Sequence, residues 1–203
     1  MSGAFPLVPA PNSIKIQSLA PTRVSVAHSL RRSTRTTGAQ RWLVTADWMG
    51  LTRVQFAPIQ AFVIAQRGQW DNFTMLLPGH KTPQGVATGT PLVNGAGQSG
   101  RTLATRGWSA SVTGILKAGD FIGLTGQTKV YMVTADASTD ASTDASGNAT
   151  LTIEPALMGS PADGAALIVR NVPFTLALAS DTLEMAVQPP VLYNFSLSLL
   201  EAY

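Results

Sequence analysis

At 203 residues the chain can hold one large or two small domains, and it contains no cysteine, which excludes disulfides and thiolate metal sites. Only 12% of residues are charged, against about 25% in an ordinary globular protein, and no apolar run reaches transmembrane length. The net charge of +3 hides a gradient: residues 1–83 hold nine bases and two acids (+7), residues 84–171 five bases and six acids (−1), and residues 172–203 three acids and no base (−3).

In chain order, residues 1–13 are rich in proline and small residues and read as an extended arm. They have no positively charged n-region and no long apolar h-region, so no secretory signal is expected. Ile14–Gln17 and Thr22–Leu30 alternate and read as strands, Arg31–Gly38 as a hairpin tip or loop, and Gln40–Trp48 as a third strand carrying Trp42 and Val44. Leu51–Gly68 is the one convincing helix. Thr52 and Gln55 have capping-box spacing, and Phe56, Ile59, Phe62 and Val63 recur at helical spacing. Pro58 either stands at N1 of a helix starting near Ala57, the favoured reading, or kinks a longer one, and Gly68 is expected as the C′ residue. Trp70–Pro78 leaves the helix as a strand.

The composition changes at Pro83. Residues 84–114 are mostly Gly, Thr, Ser and Ala. Lys117–Asp120 reads as a turn; Phe121–Leu124, Lys129–Thr134, Ala149–Glu154 and Ala166–Arg170 read as strands, and their spacing suggests a small barrel. Phe174–Leu178 resumes alternation, and Asp181–Pro190 reads as a bend or edge segment. Tyr193, Phe195, Leu197 and Leu199 then alternate with polar residues, the pattern of a half-buried strand. A core strand this late in the sequence must pair with something made early. That implies a discontinuous domain with a second one inserted: 1–83 with 172–203, and 84–171 between them.

The motifs that suggest chemistry fail on context. Gly95-Ala-Gly97-Gln-Ser-Gly100 matches a dinucleotide fingerprint, but no helical stripe follows it, so it reads as a turn. Asp136, Asp140 and Asp144 recur every four residues, which is not the calcium-loop spacing. His28 and His80 lack acidic or cysteine partners nearby, and His80 reads as a solvated loop residue. Neither a cofactor nor a metal is expected. Arg23, Arg31, Arg32, Arg35 and Arg41 form a basic stretch without interleaved aromatics, which favours subunit contact, through Arg31, Arg32, Arg35 and Arg41, over nucleic acid.

Three segments together resemble the distal tail proteins of long-tailed bacteriophages: Gln40-Arg-Trp-Leu through Trp48 and Leu51 to Ala61-Phe62; Lys117-Ala-Gly-Asp120-Phe through Lys129-Val-Tyr-Met-Val to Leu151-Thr-Ile-Glu-Pro155; and Phe195-Ser-Leu-Ser-Leu-Leu-Glu201. The resemblance implies a mainly β fold, a discontinuous β-sandwich with one helix plus an inserted OB-like barrel. It implies a non-enzymatic virion protein whose six copies ring the DNA channel between tail tube protein and baseplate hub protein. Tail fibres or a receptor-binding protein are further expected partners. DNA is met only in transit, no membrane is entered, and assembly takes place in the host cytoplasm. Two rivals make different demands. A carbohydrate-binding module would need Trp108 and Tyr131 exposed as stacking platforms. A tail-associated glycoside hydrolase would need two carboxylates about 5–10 Å apart in a cleft.

Overall fold

The computed structural model of the chain describes residues 3–135, 142–188 and 192–203. Its strands are β1 (Ser13–Leu19), β2 (Thr22–Val26), β3 (Arg32–Thr36), β4 (Arg41–Leu51), β5 (Asn72–Leu76), β6 (Gly89–Val93), β7 (Thr102–Trp108), β8 (Phe121–Leu124), β9 (Val130–Val133), β10 (Ala149–Glu154), β11 (Leu167–Ile168), β12 (Pro173–Leu178), β13 (Met185–Gln188) and β14 (Leu192–Glu201). Helix α1 (Arg53–Ala65) and a 3-10 turn (Gly68–Trp70) lie between β4 and β5. The fold is mainly β with one α-helix, several sheets and a nearly closed six-stranded barrel, the class expected from the sequence. Packing divides it into two compact units, one of Pro6–Asp71 with Ala177–Glu201, the other of Met1–Phe5, Asn72–Leu176 and Ala202–Tyr203.

In the first unit β4 lies between β1 and β14, antiparallel to both, and β13 pairs with β14. Alternation along β4 buries Trp42, Val44, Ala46 and Trp48 on one face. In register with these, β14 sets Phe195 opposite Trp48, Leu197 opposite Ala46 and Leu199 opposite Val44. Between Tyr193 and Phe195 the register shifts; Gly50, at φ +67, makes this bulge and donates its N–H to Asn194 Oδ1 at 2.9 Å. Helix α1 covers this face with Phe56, Ile59 and Val63. Phe56 stacks on Tyr193 at 4.9 Å and meets Phe195 edge-on at 5.6 Å, and Trp48 lies 5.7 Å from Phe195. Truncating an aromatic in such a site costs about 3–5 kcal/mol. The alternation read at the end of the chain is therefore the core strand it implied.

Three local expectations are corrected. Helix α1 starts at Arg53, not near Ala57, because Gln55 Oε1 accepts the Thr52 N–H at 3.0 Å and fixes the cap early; Pro58 then lies inside the helix. The first left-handed residue after the helix, at C′, is Arg67, at φ 58, and Gly68 follows it at φ 67. Most of Arg31–Gly38 is strand: β3 pairs with β2 in a separate two-stranded hairpin.

In the second unit the barrel order is β11-β8-β9-β10-β7-β6. Leu92 bridges Ala166, the Val93 N–H reaches the Ala165 carbonyl at 2.9 Å, and the Gly164 N–H returns to the Val93 carbonyl at 3.0 Å. These bonds draw the edges β6 and β11 together and nearly close the barrel, which removes exposed sheet edges. Leu103, Ile122, Val133, Leu151 and Ile153 fill it. In the same unit β12 pairs with β5. Strands β6 and β7 were not visible in the sequence. The inward face of β7 carries Thr105 and is interrupted at Gly107, so no apolar alternation survives.

Candidate assembly surfaces

The hairpin β2–β3 exposes every residue on both faces. Strand alternation sets Arg23 directly across from Arg35, and Arg32 across from Val26. Like charges directly opposed across a pair of strands are destabilising, and a two-stranded hairpin alone is marginal in water. Among the described residues, none of Arg23, Arg31, Arg32 and Arg35 has an acidic partner. The apolar side chains offer no shelter either: Val24, Val26 and Leu30 are 50%, 59% and 85% exposed. The tip is closed by the Leu30 N–H on the Ala27 carbonyl (2.8 Å) and the Ala27 N–H on the Arg31 carbonyl (2.9 Å), and Leu30 has φ 63. His28 is exposed in this tip. Arg41, exposed at the start of β4, lies across from Leu19 at the end of β1.

The outward face of α1 is the second unusual surface. Val54 and Ile64 are exposed, and between them stand Ala57, Pro58 and Ala61, also exposed. The only charged residue of the helix is Arg53. A helix this apolar around its circumference ordinarily has cover on more than one side.

A cleft of about 790 Å³ opens beside the helix, between its C-terminal half and the segment 178–186. Asp47, Asp181 and Glu184 line it together with Met49, Ile64 and Met185, and no lysine or arginine does. Asp47 is held by hydroxyls, Ser196 Oγ at 2.6 Å and Ser13 Oγ at 2.8 Å. Asp181 Oδ1 accepts the Gln69 N–H at 3.0 Å, and Gly68 beside it holds φ 67, a conformation that favours glycine. Of the three acids in residues 172–203, Glu201 is buried and accepts the Trp42 N–H at 3.1 Å; Asp181 and Glu184 are exposed at the cleft. The sequence signals for this surface were a helix nearly without charge and a C-terminal segment with acids and no base.

The barrel residues with suspected chemistry turn out to be structural. Trp108 is buried, its Nε1–H bonded to Thr105 Oγ1 at 2.8 Å, and the Gly147 backbone, at φ 73, packs against its carbonyl. Tyr131 is fully buried; its hydroxyl donates to Gln127 Oε1 at 3.1 Å and accepts the Met158 N–H at 3.1 Å. Neither ring presents a face to solvent, so the stacking role considered for this pair is withdrawn. The glycine-rich loop is followed by strand β7, not a helix, and its own Gln98 fills it: the carboxamide nitrogen reaches the carbonyls of Asn94, Gly95 and Ala104, and its oxygen accepts the Ala104 N–H at 2.7 Å. That leaves no helix N-terminus for a pyrophosphate. Asp120 is buried and its carboxylate gathers three backbone N–H groups, Gln84 at 2.7 Å, Lys117 at 2.8 Å and Gly85 at 3.2 Å. The Ala-Gly-Asp turn thus ties the start of the barrel to its β8 corner. His80, exposed, packs edge-on against Phe121 at 5.2 Å.

Of the aspartate repeat, Asp136 and Asp140 lie outside the described residues. The Asn148 backbone N–H at 2.8 Å and its side-chain amide hold the Asp144 carboxyl below its ordinary range, with the Ser146 N–H adding to them. Asp163 is likewise lowered, first by the Gly95 N–H at 2.8 Å and then by Arg106. Among the described residues no cluster of three or more His, Asp or Glu could hold a metal ion, and no helix is long and apolar enough to cross a membrane.

Residues 81–172 match the family model described as distal tail protein pb9, B domain. This is the family that the sequence segments resembled, and over residues 81–172 the match supports a phage distal tail structural protein. No curated protein matches the chain.

Proposed function

We propose that this protein is the ring subunit at the distal end of a phage tail, joining the tail tube to the baseplate hub around the DNA channel. The match of residues 81–172 to the pb9 B domain carries the reading. In it, residues 1–83 and 172–203 form the ring, residues 84–171 form a peripheral OB-like barrel, and six copies close the circle. The tube protein and the hub protein bind its two faces, and fibres or a receptor-binding protein attach outside. Its role is structural, without catalysis, and it is assembled into tails in the host cytoplasm. Arg31, Arg32, Arg35 and Arg41 meet a neighbouring subunit and not DNA. A tightly gripping basic lumen would oppose the sliding that ejection needs.

Cryo-electron microscopy of assembled tails tests the reading. Sixfold density for this chain is expected; a trimer or a solitary copy refutes it. Replacing Arg31, Arg32 and Arg35 together by Ser should weaken tail-tip assembly in a salt-dependent way while the isolated subunit stays folded. Normal assembly with an altered ejection rate would instead place these residues in the lumen.

A further inference from the structure

We infer that the β2–β3 hairpin of one copy docks in the acidic cleft beside α1 and β13 of the next copy. The inference rests on the ring reading and names the two surfaces that make the ring.

The first argument is charge. The hairpin presents Arg23, Arg31, Arg32 and Arg35 and no acid, while the cleft presents Asp47, Asp181 and Glu184 and no base. Opposing Arg23 and Arg35 across the strands is unfavourable in an isolated subunit. It becomes favourable once carboxylates from another molecule lie between or beside them. Within one copy the hairpin is exposed throughout, so its own cleft does not supply them.

The second argument is apolar matching. Val24, Val26 and Leu30 stand out from the hairpin, and Met49, Ile64 and Met185 stand exposed along the cleft. Leu30 is the sharpest case. A leucine in the left-handed region at a turn tip is strained, and 85% of it is exposed. Strain at such a residue persists where it has a use; here it aims an apolar side chain outward at the end of a basic arm. Buried in the cleft of a neighbour, that side chain would leave water.

The third argument is hydrogen bonding. Among the described residues β13 pairs with β14 alone, so its other edge can accept a strand from another molecule. Donor and acceptor are different patches of one chain. Such a head-to-tail interface closes into a ring when the rotation permits.

The chain has no native cysteine, so it forms no disulfides of its own before the substitutions. Tails assembled with a Leu30→Cys/Met185→Cys variant and mildly oxidised should yield a ladder of covalent multimers of this chain, while either single variant stays monomeric. Monomers only, or an equal ladder from the control pair Leu30→Cys/Val54→Cys, overturns the docking. Sixfold symmetry of those same tails would still leave the ring reading standing, and its absence would overturn both. Charge reversal gives an independent reading if the cysteine variant fails to fold. Arg31→Glu/Arg32→Glu/Arg35→Glu alone, or Asp181→Lys/Glu184→Lys alone, should slow tail-tip assembly by about tenfold or more at low salt, and the two together should restore it. Undiminished assembly with Asp181→Lys/Glu184→Lys, as expected if the cleft holds a small ligand, overturns the proposal.

Discussion

Asp144 and Asp163 show how single carboxylates organise the loops of the barrel. Each accepts backbone N–H groups from a turn, so each carboxyl is lowered in the folded state. A lowered carboxyl contributes stability that is fully present above the range where it titrates in the unfolded chain. That contribution is lost as pH falls through the folded-state value. The amide resonances of Asn148 and Gly95 should therefore titrate with midpoints below 3.8, and be flat from neutral pH down to about pH 5. Asp144→Asn should abolish the Asn148 titration and leave that of Gly95 intact; a midpoint at or above the ordinary carboxylate value would disprove the arrangement. At this scale the sequence was informative about what residues are not. The spacing of the aspartates, the missing helix after Gly100 and the isolation of both histidines argued against chemistry. It placed Asp120 in a turn but was silent on what its carboxylate binds, and on Gln98, because a side chain that gathers distant backbone groups leaves no local pattern. Trp108 and Tyr131 failed for a related reason: an aromatic on a half-buried strand reads the same whether its ring points in or out.

Helix α1 is the element where local rules conflict. The Thr52–Gln55 cap and the burial of Phe56 start it at Arg53, and Pro58 inside it then lacks the N–H that would meet the Val54 carbonyl. Interior proline costs about 3 kcal/mol relative to alanine, and Pro58 is exposed. Pro58→Ala should thus stabilise the isolated subunit by about 1–3 kcal/mol, read as a higher urea midpoint with unchanged slope. An unchanged or lower midpoint would mean that the proline carries a contact worth more than the lost bond. The helix stripe and the alternation in β4, β10 and β14 were legible because each keeps its period against a core; β8 and β9 were legible as short runs of strand-forming residues beside turns. Strand β3 was not, since a hairpin exposed on both faces has no buried side to impose one. Nor were β6 and β7, where Thr105, Gly89 and Gly107 occupy strand positions that an apolar residue would otherwise mark.

Over the whole molecule, the buried cluster of the barrel runs from Ala87 to Leu167, while Phe121 of β8 packs beyond it on His80 and Phe174. A fragment of residues 84–171, expressed alone, should give a dispersed NMR spectrum of β character and a cooperative melt. A spectrum collapsed into the range of a disordered chain would show that strands β5 and β12 are needed and that the boundary lies further out. The terminal alternation made β14 legible as a core strand, one whose partner β4 lies far back in the sequence. What no pattern within one chain can encode is the neighbour. That returns to the hairpin, whose fifteen positions from Thr22 to Thr36 are all turned to solvent. If the arm of one copy docks in the cleft of the next, a subunit with a damaged arm would still take a place in the proposed circle and yet pass nothing on. Such a subunit would be a poison and not merely an absentee. In a cell making both kinds, intact circles would dwindle as the sound fraction raised to the number of seats, so the steepness of that decline would count the subunits without an image of the ring.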